Sequence, residues 1–201
     1  MRIDVSIAVI RSEVQQALRH PTGYQIRSWV AAVLLALSLL LPYWHLTLNA
    51  PQYPGGLRTS VYLTRVGGDA AEIDILNHYI GMKSLTLAAP LERALAVPLV
   101  LGGVLAVTAS AFLGRLGLLL QAPAVVFPLG VVADLGYWLW RFGHSLDPTA
   151  PIRLDPFMPA IIGRSTVMQF VTHATFGWGF LLSAGTAVLA LYNIITWSRH
   201  R

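Results

Sequence analysis

From Ala94 to Gly114 the chain carries no charged residue, and after Arg115 a second uncharged run extends from Leu116 to Ala133. Two such runs back to back leave few folds open. Each supplies most or all of the ~20 apolar residues that carry a helix across ~30 Å of hydrocarbon. The whole chain agrees: of 201 residues only 11% are charged and 55% are hydrophobic, with a mean hydropathy of +0.61. A soluble domain carries ~25% charge to coat its surface. A disordered chain would need far more polar bulk. The class expected is a polytopic membrane protein.

Four spans are expected, at 24–43, 91–113, 116–140 and 170–201, the last ending in a Ser198-Arg199-His200-Arg201 tail. Trp44, Trp138, Trp140 and Trp197 fall near span ends, where aromatic rings favour the interface. Pro98, Pro123 and Pro128 predict kinks. Ahead of the first span, Ile7, Ile10, Val14, Ala17 and Leu18 recur at helical spacing, with Arg11, Glu13, Gln15 and Arg19 elsewhere on the wheel. Residues 1–23 therefore read as an amphipathic helix, lying on the membrane or packed on a partner subunit. The polar residues exclude a secretory signal. The fold class expected is an all-α membrane protein: a four-helix transmembrane bundle with this surface helix and a small strand–strand–helix cap.

Counted at the span ends, lysines and arginines are even between the two sides. Arg2, Arg11, Arg19 and Arg27 before the first span break the tie. Both termini are then expected in the cytoplasm of a bacterium, the chain in its inner membrane, and the segments 44–90 and 141–169 in the periplasm. In the first, His45–Ala50 and Leu57–Val66 are strand-like around the turn-rich Pro51-Gln52-Tyr53-Pro54-Gly55-Gly56. Asp69-Ala70-Ala71-Glu72 resembles a capping box opening a short helix. Gly81 is a left-handed stop. The second segment holds Pro148, Pro151, Pro156 and Pro159 and reads as a stiff strap packed on the cap or on a partner.

With no cysteine, any metal must be held by His, Met or carboxylate. His78 and Met82 stand four apart at the expected helix end, a soft-leaning pair suited to Cu(I). Asp74, one turn earlier, is placed to orient the imidazole. His45, Met158, Met168 and His173 fall on the same side and complete a set of candidate ligands. Polar and flexible residues also gather at loops for purely structural reasons. Asp134 is the one carboxylate in the interior of an expected span; it reads as a proton or cation relay or, in preference, as a structural group that caps a kink or meets Arg141.

Pro42-Tyr43-Trp44, the 51–56 turn, Asn77-His78-Tyr79-Ile80-Gly81-Met82 and Asp155-Pro156-Phe157-Met158-Pro159 through Gly163 together resemble poorly characterised bacterial membrane proteins. Those proteins are associated with copper-enzyme and nitrous oxide reductase accessory systems. The resemblance covers the two outer segments and their flanking spans, and implies that His78 and Met82 are the functional positions. No nucleotide-binding, hydrolase or zinc-protease motif is present, so an autonomous enzyme is not expected. The leading expectation is an accessory protein handling Cu(I) for a periplasmic cuproenzyme. The alternatives are an anchor or electron-transfer subunit of a respiratory complex, with His45 and His173 on a b-type haem, and a structural subunit without cofactor. The partners expected are the lipid bilayer and a cuproenzyme or other membrane subunits, and no nucleic acid.

Overall fold

The computed structural model describes residues 21–199; the expected amphipathic helix lies almost wholly outside them. Among the described residues the chain forms five α-helices and one five-stranded antiparallel sheet. It is a mixed α/β membrane protein, which corrects the expected all-α four-helix bundle. Three helices among the described residues are long and apolar enough to cross a bilayer, those beginning at Pro90, Gly114 and Trp178.

Helix α1, Gly23–Ser38, is opened by a capping box in which Thr22 and Gln25 exchange side-chain and backbone hydrogen bonds. It buries Ser28, Ala31, Ala32, Leu35 and Ser38, a stripe at helical spacing. Its 16 residues rise only ~24 Å, less than the hydrocarbon thickness. Pro42 then turns the chain into β1, Trp44–Ala50, which pairs with β2, Tyr53–Val61, and β2 with β3, Val66–Gly68.

Helix α2, Ala70–Tyr79, starts where expected, but Asp69 does not cap it. Its carboxylate accepts the backbone N–H of Arg58 at 2.8 Å instead, tying the helix start to β2. The helix ends as expected. Gly81 takes φ +74°, its N–H reaches His78 O and the N–H of Met82 reaches Asn77 O, the two bonds of a Schellman stop. A short 3₁₀ turn, Leu85–Leu87, leads into α3, Pro90–Ser110. A tight connection then leads into α4, Gly114–His144.

The 141–169 segment divides at Gly163. Arg141–His144 still belong to α4; from Ser145 up to Gly163 the chain is an extended strap without helix or strand, as its prolines require. The strap crosses the end of α2, with Asp147 N–H on Gly81 O and Ile152 N–H on Tyr79 O, and Phe157 N–H bonds Gly143 O at the end of α4. From Gly163 the chain is strand: β4, Gly163–Val167, and β5, Phe170–Phe176, form a hairpin with left-handed Met168 in its turn. The expected fourth span therefore does not begin at Phe170. Residues 170–176 alternate between the two sheet faces and pair with β1, and α5, Trp178–Arg199, starts after Gly177. A Cβ on Gly177 would stand 2.2 Å from Pro42 O, so only glycine lets the β5–α5 junction press against the α1–β1 junction.

The strand order β3-β2-β1-β5-β4 places the two distant segments side by side in one sheet. One face of β1 (Trp44, Leu46, Leu48, Ala50) is buried. Leu48, Ala50 and Leu57 pack on Ile73 of α2, and Trp44, Leu46 and Ala174 pack on Leu139 of α4. In the bundle, Ala31, Ala32, Val107, Ala124 and Ala190 meet at the centre. Residues this small let four helices approach closely. At the end away from the sheet, the Gln121 amide nitrogen lies within 3.1 Å of Tyr24, Ser28 and Ser110 hydroxyls, and Arg27 donates to Asn193 at 2.6 Å. Tyr24 also stacks at a tilt on Trp197. The start of α1, the α3–α4 turn and the end of α5 thus share one end of the molecule, and the sheet occupies the other.

Candidate functional site

The sheet divides the six proposed metal ligands. In β1, His45 and Thr47 point away from the buried face. His173 pairs with Thr47 and shares that open face with His45, whose Nδ1 lies 3.0 Å from Ser60 Oγ. Two imidazoles leaving one sheet face in the same direction differ from the opposed pair that holds a b-type haem. His78 and Met82 lie beyond the opposite face, at the end of α2. His78 is exposed there. Met82 instead turns toward an apolar cavity of about 70 Å³ with Leu46, Leu48, Ile73 and Phe157. Met158 and Met168 are both exposed, in the strap and in the β4–β5 turn. No group of three or more His, Asp and Glu side chains arranged to hold a metal ion occurs among the described residues.

Asp74 does not orient His78. Its carboxylate accepts from Ser84 Oγ, from Leu85 N–H at 2.6 Å and from Thr86 Oγ1 at 2.8 Å, serving the free N–H groups of the 3₁₀ turn. The acid near His78 is Asp147. The Thr149 hydroxyl and N–H donate to it at 2.6 and 2.8 Å and hold its carboxyl below the usual range, with the His78 charge adding to the effect.

A larger concavity lies elsewhere. A cavity of about 580 Å³ opens between α3 and α4 under the sheet. Its floor is Leu95, Leu99, Pro123, Val126 and Phe127, and its roof is Tyr43, Trp44, Val61, Tyr62 and Phe176. Leu91, Leu95, Leu99 and Val126 are also exposed, so the cavity opens sideways through the surface that three apolar helices present to lipid. Pockets of 300–1,000 Å³ with apolar walls and a few polar groups are the ordinary form of a small-molecule site.

The charged groups here are Glu92, Arg93 and Asp134. Glu92 sits in the first turn of α3, where a carboxylate complements the helix dipole. Asp134 faces it from α4. Trp138 Nε1 lies 3.4 Å from Glu92 Oε1. Glu92 Oε2 is buried with no hydrogen-bond partner among the described residues. Arg93 turns away, donating to Thr86 O at 2.6 Å and Leu85 O at 3.0 Å. Arg141 does not meet Asp134: it bonds Tyr137 OH at 3.0 Å and lies over the Trp138 ring.

Sequence reasoning singled out Asp134 but missed Glu92, which reads as one more acid flanking a span. A helix-start acid followed by an apolar run is an ordinary pattern. Only the tertiary fold brings the two carboxylates to one cavity. No protein-family model matches the chain, and no curated protein matches it.

Proposed function

We propose that the chain is a membrane-embedded binding protein that takes an amphiphilic ligand sideways from the bilayer into the α3–α4 cavity. The observation that carries this reading is the cavity itself: apolar walls reaching from Pro123 toward Asp134, ~16 Å of helix rise, with carboxylates only at the end beneath the sheet. A tail fits the deep part and a polar head the upper part. The sheet and the connector from Leu85 to Ala89 form a roof that shields the head. On the charge distribution of the flanks, the sheet end faces the periplasm of a bacterial inner membrane and the ends of α1 and α5 face the cytoplasm.

An uncharged alkyl alcohol bearing a diazirine tests this in nanodiscs. After irradiation, adducts should concentrate on Leu95, Leu99, Val126 and Phe127. Gly130 lines the cavity, and a Cβ there meets nothing within 4 Å, so Gly130→Trp fills the space without displacing neighbours. Labelling should be lost in that variant. Adducts spread evenly over other lipid-facing residues such as Leu105 and Leu119, unchanged by Gly130→Trp, would defeat the reading.

A second reading, Cu(I) handling for a periplasmic cuproenzyme, is supported by one arrangement: the Schellman stop holds His78 and Met82 at the same helix end, with His78 open to solvent. Thioether and imidazole suit Cu(I) and permit exchange. Cu(I) affinity of the folded His78→Ala, Met82→Leu variant tests it: a large loss is expected, and unchanged affinity would remove this site.

A further inference from the structure

We propose that the ligand of the α3–α4 cavity is a cation: an amphiphile whose head is an ammonium group, seated between Glu92 and Asp134. This rests on the cavity being a binding site. Two carboxylates line a space whose remaining walls are almost wholly apolar. Acidic groups at membrane depth are costly unless they meet a partner or water. Among the described residues the indole of Trp138 reaches Glu92 as a weak donor, at 3.4 Å. Glu92 Oε2 has no partner among the described residues.

The two arginines within reach are already engaged. Arg93 neighbours Glu92 in the chain, but its guanidinium holds the carbonyls of Leu85 and Thr86. Those carbonyls belong to the 3₁₀ turn whose N-terminus is capped by Asp74, so both ends of this short connector consume a charged side chain. Arg141 is held by Tyr137 and the Trp138 face. Both guanidiniums thus spend their hydrogen bonds elsewhere, and the carboxylate pair is left facing the cavity.

The aromatic lining points the same way. Trp44, Tyr62, Trp138 and Phe142 border the carboxylate end. Aromatic faces attract ammonium heads, quaternary ones included, most strongly where water is excluded. An anionic head would meet two like charges there, and an uncharged head would supply no counter-charge to either carboxylate. Charge, ring faces and the deep apolar floor together define an alkylammonium.

The experiment compares two diazirine probes with the same alkyl chain, one ending in trimethylammonium and one in a hydroxyl, on the full chain in nanodiscs. The ammonium probe should label the cavity at about ten-fold lower concentration than the alcohol, the preference expected when a buried carboxylate gains a cation. In Glu92→Gln, Asp134→Asn the preference should vanish while labelling by the alcohol persists. Competition by phosphatidylcholine but not phosphatidylglycerol would assign the ammonium to a lipid head. Competition by free alkylamine alone would assign it to a non-lipid amphiphile. Equal labelling by both probes in the native chain would overturn the cationic assignment and leave the binding site standing. Absence of cavity labelling by either would defeat both. The native-chain comparison decides the matter even if the double variant does not fold.

Discussion

Gly81 shows how much one residue can carry. Its positive φ ends α2, and a Cβ there would stand 2.7 Å from Asp147 O and 2.9 Å from the Ala150 Cβ. The same glycine therefore terminates a helix and receives the strap. Gly81→Ala should cost about 2 kcal/mol, from left-handed strain and displacement of the strap. Lower thermal stability with new protease cleavage near residues 147–152 would display it; an unchanged melt would contradict the packing. Asp147 beside it gives a pH-dependent prediction. Its carboxyl is depressed first by the Thr149 bonds and then by the His78 charge, so the ionised form is favoured in the folded state. Its stabilising effect is present above the ordinary carboxylate range and is lost as pH falls through the depressed value. Thr149→Val should raise the Asp147 titration toward the ordinary ~3.9, and His78→Gln should raise it less. An NMR titration of the Asp147 carboxyl reads both, and equal values in all three proteins would refute the assigned cause.

At the scale of elements, β5 is where local and tertiary preferences part. Phe170-Val171-Thr172-His173-Ala174-Thr175-Phe176 is apolar enough to be taken for the start of a span. Its alternation becomes decisive only when β1 offers a partner, because β1 is flanked by β2 on its other side and would otherwise expose an edge. Thr47 and His173 are directly paired on the open face. The chain has no cysteine, so Thr47→Cys with His173→Cys should form a disulfide under mild oxidation, while Thr47→Cys with His78→Cys should not. The opposite result would return residues 170–176 to a helix. Within the bundle, Gln121 joins α4 to α1 and α3 through three hydroxyls. Those hydroxyls already donate to carbonyls of Ser110, Tyr24 and Val107, so they serve Gln121 as acceptors. Gln121→Leu should therefore cost only about 1–2 kcal/mol, as polar contacts in membrane bundles do, measured by melting in detergent.

For the whole molecule, the arrangement is a helical layer closed at one end by a sheet, with the cavity where the two meet. Single cysteines at Leu113, in the α3–α4 turn, and at Thr166, in β4, lie at opposite ends. In the proposed orientation a membrane-impermeant maleimide should label Thr166→Cys in intact spheroplasts and Leu113→Cys only after lysis. The reverse pattern would invert the orientation and move the roof of the cavity to the cytoplasm.

By itself the sequence determined what local chemistry decides. The uncharged runs bounded by Arg93, Arg115 and Asp134 made α3 and α4 membrane helices, since hydrocarbon tolerates little else. Gly81 ended α2 and four prolines kept the strap extended, because both act through backbone torsions. Whether Asp69 caps its helix, whether Asp74 serves His78 and where α5 begins were decided by the tertiary structure. In each case a segment found its partner outside its own element: Arg58 of β2 for Asp69, the 3₁₀ turn for Asp74, and distant β1 for β5. The candidate site follows the same division. Six histidines and methionines looked convergent along the chain, but the sheet stands between them. Glu92 and Asp134 looked unrelated until α3 and α4 folded into one hairpin. Side-chain convergence is a property of register and packing, which a linear pattern constrains only through non-local pairing.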